Sequence, residues 1–356
     1  AALLILFAYA LSVYVRLDWI EFANGDKMES LRWEGVPMPN THDSFYFGSV
    51  LQKGLDGKHA NNEMVDSVLH NGMITYLPYL LVKYTSLTIE EVLLWVPVWV
   101  SGLVCVPLVL IGRLYGSVFL GFFAACLAVV STSYYNRTLA GYFDTDMYSV
   151  TVPVFALFFL LAACRKESLR YALAGALTLY LYRFFYSSGQ TISSSLGVAF
   201  IGYRFGLVIL HWIDAKLREE EWKWFNPSFV FSLKASLLVG FALYAEEWSR
   251  GVRIEQFPLR FVLGLVALVG GFFLLRRLGV TGWREIPKDS PNEPRKDLEP
   301  SISPSSGILA RLRSRECLAG FTVVFLFFFI FFGGIYGKIA TKVESYVEAT
   351  GSPKDD

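Results

Sequence analysis

Charge is scarce in this sequence: Asp, Glu, Lys and Arg together make up 18% of its 356 residues, against 54% hydrophobic residues. With a mean hydropathy of +0.44, the chain is too apolar for an ordinary soluble domain, and burial in a membrane is the default reading. Neither sign of charge is in surplus, because the formal net charge is only +1. The balance therefore points to no nucleic acid and no other polyanionic partner. Cysteine is sparse too. Cys105, Cys126, Cys164 and Cys317 all sit in apolar runs without CxxC spacing, which argues against a disulfide framework or a zinc site and for packing. Of four histidines, the one beside an acid, His42, has no partner at metal-ligand spacing and reads as an exposed loop residue.

Long apolar runs are abundant. A helix needs roughly 20 apolar residues to cross the hydrocarbon core, and windows of that kind fall near 1–17, 91–112, 117–135, 147–164, 169–186, 190–212, 228–245, 258–275 and 317–336. They predict an all-α, polytopic membrane bundle of about nine transmembrane helices. Pro97, Pro107, Pro153 and Ser193 to Ser195 fall inside these windows, where helices packed against one another tolerate them. The opening "AALLILFAYALSVYV" has no small-residue cleavage site followed by a soluble stretch, so it reads as an anchor rather than a signal peptide. With no initiator Met and a polar tail, "GSPKDD", straight after a hydrophobic segment, the chain is expected to be a fragment of a longer protein.

Lys and Arg near span ends set orientation. Arg113, Arg165 and Lys166, the stretch "DAKLREEEWKW", and Arg276 and Arg277 through Arg315 fall on alternate connections, which places those on the cytoplasmic side. The connection 276–316 contains a Pro-, Ser- and charge-rich tract expected to be a disordered tether. The opposite face then receives a first external loop at 18–90, a second at 136–146, a turn at 186–189, the connection 246–257 and the segment 337–356. In the first loop, "HDSFYFGSVLQKG" and "MITYLPYLLVKY" are short and amphipathic, as expected of helices lying in the interface plane.

The parity of the spans brings "THDSFYF" and "GYFDTDM" to one side of one membrane. Asp43 and Asp146 each precede a helical stretch and so each also reads as a helix N-cap. Asp144 and Asp146 cannot share one cap, and paired like charges at a lipid boundary call for positive compensation. A hard divalent cation supplies it through carboxylate oxygens. Arg137, just upstream, supplies it by folding back on the acids; its alternative is a snorkelling interfacial Arg. Tyr186 sits at the outer end of the fifth span, where aromatic belts place Tyr routinely, and beside two serines its phenol is also suited to a phosphate. "NRT" at 136–138 matches a glycosylation acceptor by coincidence at a span end, and Gly333 with Gly337 form a GxxxG helix-packing pattern.

The run "SYYNRTLAGYFDTDM" resembles the second external loop of the oligosaccharyltransferase family of PglB, AglB and STT3. "THDSFYF" is similar to the first-loop acid segment of that family, and "FFYSSGQT" to its external turn before the sixth span. The resemblance implies a GT-C type membrane glycosyltransferase in which Asp43 and Asp144 ligate Mn2+ or Mg2+. It also implies that Asp146 supports that site, Arg137 orients its carboxylates and Tyr186 contacts the pyrophosphate of a lipid-linked donor. In the family the aromatic is followed by Pro; here Ser187 follows Tyr186. The family's WWD motif, in a C-terminal periplasmic domain, and its fifth-loop glutamate are expected beyond residue 356, and Glu344 is not matched to the latter.

The implied partners are a polyprenyl-pyrophosphate oligosaccharide, an acceptor protein or peptide with an Asn sequon, and membrane lipid. The implied place is the inner membrane, with the active residues on the periplasmic face. Two rivals stand beside this reading. Another GT-C glycosyltransferase using a polyprenyl-phosphate sugar would share the body and the acidic first loop. A secondary transporter would need acids near the bilayer midplane and repeated halves.

Overall fold

The computed structural model describes residues 1–58, 61–217, 226–251 and 257–278. Helices stand at eight of the nine expected windows: α1 (Ala2–Arg16), the pair α5 (Ile89–Gly102) and α6 (Cys105–Leu114), α7 (Val118–Val130), α9 (Asp146–Lys166), α10 (Leu169–Phe185), α11 (Gln190–Leu217), α12 (Pro227–Gly251) and α13 (Phe257–Arg277). The ninth window, its GxxxG, most of the 276–316 connection and the 337–356 segment lie outside the described residues. Six segments among those described are long and apolar enough to cross a membrane: Ala2–Ala23, Ile89–Leu114, Asp146–Lys166, Ser187–Leu217, Pro227–Ala245 and Pro258–Arg277. Helix α7, of 13 residues, is apolar but short, and α10, of 17, is both shorter and less apolar than these six. A single turn, α8 (Thr132–Tyr135), extends the line of α7 after a break at Ser131.

The boundaries follow from local chemistry. Thr88 and Glu91 form a reciprocal capping box at the start of α5, Glu91 N–H donating to the Thr88 hydroxyl (3.2 Å) and Thr88 N–H to the Glu91 carboxylate (2.8 Å). Ser117 caps α7 through the Leu120 N–H (3.2 Å). The first external loop is built rather than loose: α2 (Asp18–Ala23), a small hairpin of β1 (Arg32–Trp33) and β2 (Val36–Pro37), then α3 (His42–Asp56) and α4 (Met73–Tyr84). The hairpin pairs Trp33 with Val36 around Glu34 and Gly35, whose positive φ values of 50° and 82° give the mirror-image turn that matches strand twist. Trp19 ties the hairpin back to α2 through its indole N–H and the Met38 carbonyl (2.9 Å).

Three apolar clusters hold the bundle. The largest joins α9 to α13 around Ala156, Ala163, Ala172 and Ala176, small residues that let helix backbones approach. A second joins α1, α6 and α7 and takes in Cys105 and Cys126; Cys164 packs on the first cluster. These three cysteines are free thiols, as the packing reading expects. The third cluster matters most for position, because Phe47, Ile74, Val92, Phe143 and Met147 bind the external helices α3 and α4 to α5 and to the start of α9. Phe47 and Phe143 meet edge to face, with centroids 5.5 Å apart.

The tightest seam is α6 on α7. A Cβ built on Gly112 would lie 2.4 Å from the Gly121 backbone nitrogen, so the two helices touch backbone to backbone. Gly112→Ala is expected to destabilise the protein by about 1–3 kcal/mol through overpacking, seen as a lowered melting temperature in detergent. Gly202→Ala, where a Cβ meets nothing within 4 Å, is expected to be neutral or stabilising by up to about 1 kcal/mol.

Candidate functional site

Asp43 lies in the first turn of α3 and Asp146 opens α9, yet neither caps its helix. The N-caps are Thr41 and Thr145, and neither helix shows a side-chain cap hydrogen bond. Both carboxylates are therefore left for other roles, which removes the capping alternative for each. It is Asp144 that accepts a backbone hydrogen bond, from the Thr145 N–H (2.5 Å), together with the Thr145 hydroxyl (3.2 Å).

What brings the two acid segments together is a set of neutral hydrogen bonds between the 18–90 and 136–146 connections. The buried Ser44 hydroxyl accepts from the Phe143 N–H (2.7 Å) and donates to the Gly141 carbonyl (2.8 Å). The Asn40 N–H donates to the same carbonyl (3.1 Å) and its side-chain amide to the Ala140 carbonyl (3.1 Å). Gly141 N–H continues to the Leu94 carbonyl on α5 (3.1 Å). Only glycine suits position 141: its φ is +79°, and a Cβ there would come within 3.2 Å of the Pro39 Cα. Ser44 and Gly141 thus lock Asp43, the residue before Ser44, beside the "FDTD" segment.

The charged groups converge on that clasp. Arg137 Nη1 stands 3.0 Å from Asp146 Oδ2, with Arg137 61% exposed and Asp146 only 19%. The contact is an ion pair by distance but not an aligned hydrogen bond, so Asp146 Oδ2 is a buried oxygen with no hydrogen-bond partner. Asp144, Arg137 and Asp43 all lie near enough to act electrostatically on Asp146. The same four charges surround Tyr142, whose phenol pKa is raised, first by burial; Arg137 opposes the rise and Asp146, Asp144 and Asp43 add to it.

This donor set suits a hard cation: carboxylates only, one of them with an orphaned oxygen, and a flanking guanidinium that cannot itself ligate. Among the described residues no group of three His, Cys, Asp or Glu side chains is placed so as to hold a metal ion. Asp43 is exposed in the first turn of α3. His42 is exposed beside it and stays outside the group.

Sequence reasoning missed the support beneath the second loop. Arg16, at the end of α1, is fully buried. Its Nε donates to the Thr138 hydroxyl (3.0 Å), its Nη1 to the Ser12 hydroxyl (2.8 Å) and the Val129 carbonyl (3.3 Å), and its guanidinium lies 5.2 Å from the Tyr134 ring centroid. The Arg16 carbonyl accepts the Ala140 N–H (3.0 Å). Thr138 is consequently buried and doubly hydrogen-bonded, which accounts for "NRT" as a structural run. The signal for Arg16 was in the sequence as a lone cation at the end of an apolar window. Ser44 and Asn40 carried none, since small polar residues are ordinary in loops.

Tyr186 ends α10 in extended conformation, followed by a 3-10 turn at Ser187–Gly189. Its ring lies 5.9 Å from that of Tyr182, whose hydroxyl donates to the Ser149 carbonyl (3.1 Å), one turn into α9 from Asp146. Tyr186 is thus tied to the acid-bearing helix end through Tyr182; among the described residues no hydrogen bond or ion pair joins it to the acids directly.

The family model for the N-terminal part of oligosaccharyl transferase STT3 matches residues 66–248, just over half of the chain. The undecaprenyl-diphosphooligosaccharide–protein glycotransferases of two Campylobacter jejuni strains are each 28% identical over 284 residues, covering 78% of this chain and 37% of their own. Among solved structures, the Archaeoglobus fulgidus oligosaccharyltransferase in complex with Zn and sulfate superposes with a TM-score of 0.50 at 17% identity, covering 77% of this chain and 35% of that one. The chain spans little more than a third of the length of the relatives it matches.

Ser44→Ala is expected to cost about 1–3 kcal/mol, because it leaves the buried Phe143 N–H unpaired. Hydrogen exchange at the amides of 141–143 should accelerate by about tenfold or more, while exchange in the α12 core stays unchanged. Equal protection of these amides in both proteins would contradict the clasp.

Proposed function

From the premise that this chain belongs to the STT3 oligosaccharyl transferase family, we propose that it carries the acid-bearing half of the active site of a protein N-glycosylating enzyme. The reaction moves a glycan en bloc from a polyprenyl-pyrophosphate donor to the side-chain amide nitrogen of an acceptor Asn, in a sequon presented on the periplasmic face of the inner membrane. The observation that supports this reading best is the clasp of Ser44 to Gly141 and Phe143, which sets the segment of Asp43 beside that of Asp144 and Asp146, with Arg137 paired to Asp146. The alternating Lys and Arg of the connections support the sidedness.

The chemical obstacle is the nucleophile. An amide nitrogen shares its lone pair with its carbonyl, so attack on the sugar C1 requires that conjugation to be weakened and the leaving group to be stabilised. Asp43 is the residue that weakens the conjugation. Its carboxylate is exposed at the loop surface and accepts hydrogen bonds from the acceptor amide N–H groups, holding the amide twisted. Attack from the face opposite the pyrophosphate inverts the anomeric centre. The C1–O bond breaks as the C1–N bond forms, and the amide nitrogen passes one proton to the Asp43 carboxylate that accepts its N–H hydrogen bond. Tyr186, with its phenol at the end of α10, hydrogen-bonds the departing pyrophosphate.

Asp43 and Asp144, supported by Asp146, would hold Mn2+ or Mg2+, which when bound supplies positive charge to the developing pyrophosphate anion. Arg137 fixes the Asp146 carboxylate and limits the mutual repulsion of the acids when the cation is away. Its role is positioning, and its effect should appear in metal affinity before it appears in saturated turnover.

In the full-length protein, Asp43→Ala and Asp144→Ala are each expected to lower glycopeptide formation by about 10²–10³-fold with Mn2+ present. Undiminished turnover by either variant removes that residue from the mechanism. Arg137→Ala is expected to raise the half-saturating Mn2+ concentration by about 10–100-fold with a smaller loss at saturation; superimposable metal titrations would contradict its orienting role.

A further inference from the structure

Helix α3 carries chemistry at both ends. Asp43 lies near its start, and Lys53, ten residues on and about 15 Å along the axis, lines a cavity of about 470 Å³ between α3, α4 and the first turn of α13. Tyr76, Tyr79, Lys83, Tyr84 and Pro258 form much of the remaining wall. None of the residues assigned to glycan transfer takes part.

Among the described residues nothing neutralises the charge that the lysines bring. Lys53 Nζ donates to the Val65 and Asn62 carbonyls (2.5 and 3.2 Å), which leaves one N–H bond. Lys83 Nζ donates to the Tyr79 phenol (2.9 Å) and sits 5.1 and 5.6 Å from the Tyr79 and Tyr84 ring centroids, which leaves two. Its pKa is raised, first by the Tyr79 hydrogen bond. Among the described residues no carboxylate pairs with either ammonium. Two ammonium groups with free donors and an aromatic wall make a pocket for a phosphate ester.

The surroundings of the cavity select what carries that phosphate. Leu69 and Tyr84, both cavity-lining, and Leu77 nearby are 43%, 74% and 38% exposed. From Pro258 the helical repeat leads down one face of α13 through Val262, Val266 and Val269, which are 51%, 62% and 37% exposed on a membrane-spanning helix. A cationic pocket at the head of an apolar, lipid-facing stripe matches an amphiphile of the membrane itself. A free phosphate would leave the stripe unused, and an acidic peptide has no chain to lay along it.

We propose that this cavity binds the headgroup of an anionic membrane phospholipid, its phosphate held by Lys53 and Lys83 and its acyl chains running along Val262 and Val266 of α13. The site anchors the external helices α3 and α4 to the bilayer, which steadies the acid-bearing start of α3 from its other end. It is independent of the transferase reading.

The test is lipid retention by the protein in nanodiscs of phosphatidylcholine containing a minor share of phosphatidylglycerol, read by native mass spectrometry and spin-labelled lipid exchange. The expected result is preferential retention of phosphatidylglycerol, weakened about fivefold by Lys83→Gln, about fivefold by Lys53→Gln and about 25-fold by both, with Lys83→Arg close to the parent. Lys53 also braces the 62–65 turn, so if its variant melts early the exposed Lys83→Gln and Lys83→Arg pair decides alone. An unchanged phosphatidylglycerol preference in the lysine variants overturns the proposal. So does equal displacement of the bound lipid by millimolar inorganic phosphate, which makes the site one for free anion, or one-for-one displacement by a polyprenyl pyrophosphate, which gives the cavity to the donor.

Discussion

The geometry of the site depends on the bond between the Ser44 hydroxyl and the backbone of Gly141 and Phe143. Carboxylates on neighbouring segments repel one another, by about 4 kcal/mol for a pair 4 Å apart at an effective dielectric of about 20. Charge alone would drive the first loop away from the second. Neutral hydrogen bonds, which do not weaken when salt is added, hold the loops together despite that repulsion. The apolar contact of Phe47 with Phe143 acts in the same direction one turn below. The two acid-bearing segments are therefore held side by side by a frame of neutral contacts.

Beneath that frame lies Arg16. A fully buried guanidinium surrounded by hydroxyls, carbonyls and an aromatic face is costly unless nearly every donor is used. Here Thr138, Ser12 and Val129 take the Nε and Nη1 donors and the Tyr134 ring lies against the guanidinium, which offsets part of the cost; Nη2 is left without a hydrogen-bond partner. The arrangement welds the end of the first span to the base of the second external loop. Tyr134 extends the weld to the Ser101 carbonyl and the Thr151 hydroxyl, so that α1, α5 and α9 share one polar knot within an otherwise apolar bundle. A comparable knot joins α11 to α12 and the turn after α9, where Arg204, almost wholly buried, pairs with Glu167 (3.0 Å), donates to the Ser232 hydroxyl and lies over the Phe231 ring. Rigid helices between such points leave the external loops little freedom to drift.

Much of the bundle was legible because the bilayer imposes a length on apolar runs that few other constraints imitate. Eight windows became helices near their expected bounds, and the two amphipathic stretches of the first loop became α3 and α4. Helix ends were readable where a side chain signals its use, as at Thr88 and Glu91. The caps of α3 and α9 were not, since Thr41 competes with Asp43 for one position and Thr145 with Asp146 for the other, and propensity does not separate them. The pairing of Arg137 with Asp146 could be anticipated from nearness in sequence; the part played by Ser44 could not.

Sequence by itself determined that this chain is a membrane bundle of apolar helices and that two short acidic segments lie on one side of it. Both conclusions rest on composition and on counting crossings, which are local properties of the chain. Tertiary structure decided which neutral groups bring those segments into register, that a buried arginine supports them, and that two lysines meet beside a lipid-facing helix. Such contacts join residues about a hundred or more positions apart, as with Ser44 and Gly141 or Arg16 and Thr138. Their energies depend on burial and on the direction of individual hydrogen bonds, which exist only once the chain has packed.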